Sequence, residues 1–307
     1  MLADAVSALK RRYGYVLALL LVGVLVVAGW IYVSIFRIHT EPVTVALPVI
    51  ADVPQEHWHA LAGKKILFAH KELGDQIVAG LQDLLPEVGL AELPVVSLEQ
   101  SKDAAAGFIA HGHVGRCFYP QTKIDEFLQL LDEGLSPKPD IAILKFCFSD
   151  IRAETDLDLA ISQYRRMVDQ LRRSHPAVTI MHVTVPLCTR PGCLRRGFRE
   201  TAKCLVGRPS IWQDNLCRQK FNTFLKDTYS HLDPLFDLAL VESCTPAGQR
   251  YYAFVGGRKV YLLAGEHAVS TGVGTLNQDG SRWVAEQFLI ALAEAAHKKD
   301  HEASSTP

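Results

Sequence analysis

The apolar positions change period twice along the chain. From Tyr13 to Phe36 there are 24 residues without a charged side chain. At about 1.5 Å per residue a helix of that length spans about 36 Å, more than the roughly 30 Å hydrocarbon core of a bilayer. The run therefore predicts a transmembrane helix over 13–36, with Tyr13, Tyr15, Trp30 and Tyr32 near its two ends. Cleaved signal peptides have apolar cores of about 7–15 residues, so an uncleaved signal anchor is the expectation. Lys10, Arg11 and Arg12 precede the run and only Arg37 follows closely. The positive-inside bias then puts residues 1–12 in the cytoplasm and everything beyond residue 37 outside.

Residues 37–63 carry Pro42, Pro48 and Pro54 with no helical period, which reads as an extracytoplasmic stalk that is extended and packs only in part. From Lys64 short apolar runs alternate with amphipathic ones. Strands are predicted at 65–69, 141–148, 178–185 and 234–240. Helices are predicted at 75–85, 157–171, 219–229 and 281–296, with a hairpin at 251–255 and 259–263 around Gly256-Gly257. In 157–171, Leu157, Ala160, Ile161, Tyr164, Met167, Val168 and Leu171 share one face. Alternation of this kind implies an α/β domain over 64–296, with a mainly parallel sheet covered on both faces. The 297–307 tail reads as polar and frayed.

Composition sharpens that division. Of 307 residues, 49% are hydrophobic and the formal net charge is -1, while mean hydropathy is +0.10. The chain can close a core, and its charge argues against a nucleic-acid partner. Lys10, Arg11, Arg12 and Arg37 against Asp4 give +3 over residues 1–40, which leaves -4 for the remainder. A basic anchor thus precedes a mildly acidic domain.

An extracytoplasmic domain meets an oxidising compartment, where its seven cysteines are candidates for disulfides. Cys188, Cys193, Cys204 and Cys217 fall in one irregular Cys- and Arg-rich insertion, 186–217. Pairing does not follow from spacing, and the odd count leaves at least one free thiol. The separations do not match a CxxC zinc pair. Cys147 lies in an apolar run and reads as a small buried hydrophobe.

Ligands of such sheets bind beyond the carboxyl ends of the strands. The segments there are His70-Lys71-Glu72-Leu73-Gly74, Ala110 to Gly115 with His111 and His113, Phe148-Ser149-Asp150, and Gly272 to Gly280. Their order and wording resemble the SGNH/GDSL hydrolase superfamily, in particular a bacterial branch whose first block reads His-Gln-Ser-Val-Gly. The likeness extends over about 230 residues. It includes Thr122 to Phe127, Lys145 to Ile151, Val183 to Leu187, Gly207-Arg208-Pro209 and Leu276-Asn277. The resemblance implies a flavodoxin-like three-layer α/β/α sandwich. In active members it implies an esterase or acyl-transfer site with a Ser nucleophile, an oxyanion pocket and a C-terminal Asp-x-x-His pair.

Carried over by position, the nucleophile falls on Glu72, the general-base His on Thr275 and its Asp on Gly272. Gly115 and Asp150 fall on the oxyanion blocks. A carboxylate does not replace a serine activated by imidazole, and Thr has no titratable group near neutrality. The resemblance therefore implies a hydrolase fold whose ordinary mechanism is lost. Ser149 or Ser270 with His70, His111 or His113 as base would be a relocated esterase or acyltransferase acting on carbohydrate or lipid esters, although a strand-end serine ordinarily bonds nearby backbone. His70, Glu72, His111 and His113 also have donor types that suit zinc, but loop-orienting histidines are the plainer reading, and no metal or cofactor is expected.

Other candidates are Asn277, beside the family's Leu-Asn pair, and the basic cluster Arg190, Arg195, Arg196 and Arg199, which suits an anionic glycan or a protein partner. Arg165, Arg166, Arg172 and Arg173 read as a solvated helix face. Trp212, Tyr251, Tyr252 and Phe254 read as packing residues. Taken together, the sequence predicts a single-pass protein of the inner (cytoplasmic) membrane, its main domain periplasmic, with a binding or assembly role at the cell envelope.

Overall fold

The computed structural model describes residues 13–27, 29, 37–103, 106–134, 137–189, 200, 203, 206, 208–255, 257–270 and 272–305. Residues 13–27 are helical with their side chains exposed. Residues 28 and 30–36 of the expected membrane segment lie outside the described residues. Among the described residues no helix is long and apolar enough to cross a membrane.

The remaining elements in chain order are β1 (His39–Pro42), α1 (Gln55–Ala62), β2 (Lys65–His70), α2 (Leu73–Leu84), β3 (Val95–Ser97), β4 (Phe108–His113), α3 (Pro120–Gln129), β5 (Ile141–Leu144), α4 (Leu157–Ser174), β6 (Thr179–Val183), α5 (Ile211–Tyr229), β7 (Leu235–Phe236), α6 (Leu238–Ser243), β8 (Gln249–Val255), β9 (Arg258–Tyr261) and α7 (Gln278–Ser305). Six strands form one parallel sheet in the order β3-β4-β2-β5-β6-β7. A separate antiparallel sheet has the order β1-β8-β9.

Side chains of the parallel sheet alternate between two apolar layers, as the two-residue period of a strand requires. Ile66, Phe68, Ile141, Ile143, Met181 and Val183 pack with Trp58 and Leu61 of α1, Ile77 and Leu81 of α2, and Phe288 and Leu292 of α7. Leu67, Ala69, Ala142, Leu144 and Ile180 face Ile124 and Phe127 of α3, Tyr164 and Met167 of α4, and Phe221 and Leu225 of α5. The result is a three-layer α/β/α arrangement. Each fully buried large side chain contributes about 1.5–3 kcal/mol to it.

Several expectations change. The 37–63 segment is more than a stalk: β1 pairs with β8, and α1 packs Trp58 and Leu61 into the core. Helix α7 continues through the expected frayed tail to Ser305, where the Lys299 ammonium donates to the Asp140 and Ala177 carbonyls, both at 2.6 Å, and Asp300 pairs with Lys64. The strand expected at 141–148 stops at Leu144, because the Asp150 carboxylate takes the Cys147 N–H at 2.7 Å and turns the chain. The run at 234–240 keeps only Leu235–Phe236 as strand, since Asp237 accepts from the Leu240 N–H and caps α6. Helix α5 begins at Ile211, well before residue 219, behind a capping box of Ser210 and Gln213.

Helix α4 buries the face its spacing predicts, but its arginines are not merely solvated. Arg172 pairs with Asp233 at 2.6 Å, and the Arg165 guanidinium lies 5.0 Å from the centre of the Phe224 ring. Trp212 is a packing residue, clustered with Ala253 and Leu262.

Candidate functional site

The chain runs from β2 outward to β3, back through β4, and then crosses to β5 on the other side of β2. Such a reversal opens a crevice at the carboxyl ends of the strands. Three loops meet there: Lys71-Glu72 after β2, residues 114–119 after β4, and residues 145–150 after β5.

The loop after β2 is strained. Glu72 has φ 50° and ψ -102° immediately before α2. Among the described residues the other non-glycine with positive φ is Phe118, at 73°. Each costs about 1–3 kcal/mol, and such strain concentrates at functional sites. The Glu72 carboxylate accepts from the Cys117 thiol at 3.3 Å. Burial, then the neighbouring Cys147 and Glu72, raise the Cys117 pKa to about 11.

The oxyanion expectation fails on hydrogen bonding. Gly115 has φ 60°, and a Cβ there would lie 2.5 Å from the Lys123 backbone nitrogen, so the loop requires glycine. Its N–H, however, already donates to Glu126 Oε2 at 2.7 Å, and its carbonyl accepts from Lys71. Asp150 is likewise occupied. Its carboxylate accepts from the Cys147 N–H, from the Phe118 N–H at 3.1 Å and from the Lys123 ammonium at 2.5 Å. Burial would lower the Lys123 pKa, but Asp150 and Cys147 outweigh it and the net direction is upward. Lys145, fully buried nearby, is shifted down by burial.

The histidines assemble apart from Glu72. His70 Nε2 lies 3.3 Å from His111 Nδ1, and His113 Nε2 meets the Asp75 carboxylate at 2.8 and 2.9 Å. Burial drives the His70 pKa to about 2 and also lowers that of His111. The carboxylate that joins the histidines is Asp75, in the first turn of α2, rather than Glu72. His70 and His113 with Asp75 form one three-donor group, whereas Glu72 converges with Cys117 and Cys147 in another.

Ser149 lines a cavity of about 490 Å³ with Phe118, Phe148, Arg152, Arg218 and Val273. Its hydroxyl is buried and has no hydrogen-bond partner, so no histidine serves it as a base. Val273 brings the 272–275 loop to the same cavity, and Gly274 lets the Phe148 ring approach closely, since a Cβ there would lie 2.7 Å from it. The exposed Thr275 is bonded through its carbonyl to the Val269 N–H. Asn277 is a cap rather than a ligand group: its Oδ1 accepts from the Gly280 N–H at 2.8 Å and its Nδ2 donates to the Glu266 carbonyl.

Arg190, Arg195, Arg196, Arg199, Cys193 and Cys204 lie outside the described residues. Cys188 and Cys217 carry free thiols, and the Cys188 sulfur is held by the Arg218 guanidinium at 3.3 Å. Sequence reasoning missed Cys117, Lys123 and Arg218. Lys145 within an apolar run was a usable signal, and Lys123 stands in the Thr122 to Phe127 stretch that carries the resemblance, whereas nothing in its spacing marked Cys117.

No family model and no curated protein matches the chain. Among solved structures, it is similar to a Streptococcus pneumonia protein named for platelet activating factor, with 15% identity, 71% of this chain and 92% of that one covered, and TM-score 0.39. It is also similar to a Salmonella ser. Paratyphi A lipopolysaccharide acetyltransferase periplasmic domain, with 11% identity, 72% and 80% covered, and TM-score 0.38. A possible lipase from Chitinophaga pinensis matches with 12% identity, 75% and 95% covered, and TM-score 0.36. Likenesses this loose carry no weight for mechanism.

Proposed function

We propose that the chain is a non-catalytic binding protein of the cell envelope, built on an SGNH-like α/β/α domain and held at the cytoplasmic membrane by residues 13–36 with the domain outside. The observation that carries the reading is Glu72. At the turn where the resembling family places its nucleophile stands a carboxylate bonded to a thiol, with the nearby Gly115 N–H already bonded to Glu126. With the Gly115 N–H committed to Glu126, a donor that would hold a developing oxyanion is lost.

The ligand site is the 490 Å³ cavity beside it. Phe118 and Phe148 offer apolar faces and the orphan Ser149 hydroxyl a free hydrogen-bonding group, while Arg152, Lys203 and Arg218 stand beside Glu154, Glu200 and Asp214, so the charges of the lining balance. An envelope glycan or a protein segment that presents both hydrogen-bond donors and acceptors suits a lining of balanced charge with two aromatic faces. The test is turnover of a chromogenic acetyl ester by the full chain in detergent, with and without chelator, beside Ser149→Ala. No turnover above buffer is expected for either protein. Turnover abolished by Ser149→Ala would replace this reading with a relocated esterase, the alternative for which the orphan hydroxyl speaks. Alkaline phosphatase and green fluorescent protein fusions after residue 63 test the orientation, with phosphatase activity and no fluorescence expected.

A further inference from the structure

We propose that Glu72, Cys117 and Cys147 form a zinc-binding site in the turn where the resembling family carries its nucleophile. Their donor atoms, one carboxylate oxygen and two sulfurs, all lie within 4.8 Å of one another. Two thiolates and a carboxylate are a donor set suited to zinc, and three protein ligands leave a fourth position open. With Zn–S of about 2.3 Å and Zn–O of about 2.0–2.2 Å, tetrahedral geometry requires donor separations of roughly 3.5–3.8 Å. The Cys117 sulfur and Glu72 Oε1 stand 3.3 Å apart, a few tenths of an ångström from that range. Closing the set takes shifts of about 1 Å, within reach of rotamer adjustment at Glu72, which is exposed.

The surroundings are built to hold the sulfurs. Cys147 is buried, and its Sγ lies 3.7 Å from the Lys71 carbonyl. The Lys123 ammonium, bonded to Asp150, is an electrostatic neighbour of Cys147. Two thiolates and a carboxylate this close repel one another as anions and are relieved by a cation placed among them. Binding releases the two thiol protons to solvent as two Zn–S bonds form, so affinity rises with pH. The other two three-donor groups among the described residues contain no sulfur: Glu56 with His57 and His297, and His70 with Asp75 and His113.

The test uses the full chain, purified in detergent under reducing conditions and stripped with chelator. Zinc titration against a chromogenic competitor is expected to show a site whose affinity falls about 100-fold or more in Cys117→Ser and in Cys147→Ser, and stays unchanged in Cys217→Ser. Cobalt loading of the parent chain is expected to give a sulfur-to-metal charge-transfer band. Should the variants fail to fold, alkylation of the parent chain read by peptide mass decides, because zinc must slow labelling of Cys117 and leave Cys217 unaffected. Cobalt binding without the sulfur band, labelling of Cys117 indifferent to zinc, or a Cys117–Cys147 disulfide in the chain isolated without reductant would each overturn the site. These readouts concern the metal alone, so they stand or fall separately from the ester assay.

Discussion

The Lys123 ammonium lies 2.5 Å from the Asp150 carboxylate, and neither side chain is exposed. Helix α3 is thereby fastened to the loop after β5 through a single buried charge pair. Removing one member leaves the other as an uncompensated buried charge, a loss of about 3–5 kcal/mol. Lys123→Met is therefore expected to lower the urea midpoint by that equivalent with little change in slope. An unchanged midpoint would mean that the pair does not carry this join.

Glu72 and its positive φ yield a second expectation. Both Glu72→Gly and Glu72→Ala remove the bond to Cys117, but only glycine relaxes the backbone. The glycine variant should be more stable than the alanine variant by about 1–3 kcal/mol. Equal stability in chemical denaturation would show that the conformation is not strained.

Glu242 supplies a pH dependence of known sign. Burial pushes its pKa to about 8 from an ordinary 4.5, against the lowering effect of the Leu187 N–H and of Lys145. The folded protein keeps this proton where the unfolded chain has released it. The stability associated with it is fully present below pH 4.5 and is lost as pH rises toward 8, at up to about 1.4 kcal/mol per pH unit. Glu242→Gln keeps an oxygen for the Leu187 N–H and removes the titration. Its stability relative to the parent should therefore increase between pH 5 and 8, measured as the difference in denaturation midpoints.

The end of α7 is the fourth case. Lys299 joins two carbonyls that belong to the starts of β5 and β6, those of Asp140 and Ala177. Hydrogen bonds from a charged donor contribute more than neutral ones, so Lys299→Met should cost about 1–3 kcal/mol. A thermal melt unchanged by the substitution would return this segment to the frayed tail its composition suggests.

What the sequence made legible follows from where the periodicity was clean. The layers were readable because β2, β5 and β6 alternate between two apolar faces and α4 repeats at three and four residues. β3 and β4 were not. In β4 the run is closed by His111, Gly112 and His113, which read as loop chemistry while in fact pairing with Phe68, Ala69 and His70. Polar side chains that end a strand are invisible to an apolar template. The site was legible only in part for a related reason. Ser149, Asp150 and Gly115 stand near the crevice, but what decides its chemistry is who bonds whom. The Gly115 N–H spent on Glu126 and the Glu72 carboxylate on Cys117 depend on contacts across 11 and 45 residues that no local spacing encodes.

Strand β1 finally sets how the domain is tethered. Its pairing with β8 begins at His39, so if residues 13–36 cross the bilayer as proposed, only Arg37 and Ile38 separate membrane from sheet, a leash of about 7 Å at most. A flexible tether over 37–63 would instead have wandered some 30 Å. On so short a leash the domain stays against the bilayer, and its reach is set by its own breadth of about 40–45 Å. Its partner is then to be sought within one domain's breadth of the membrane.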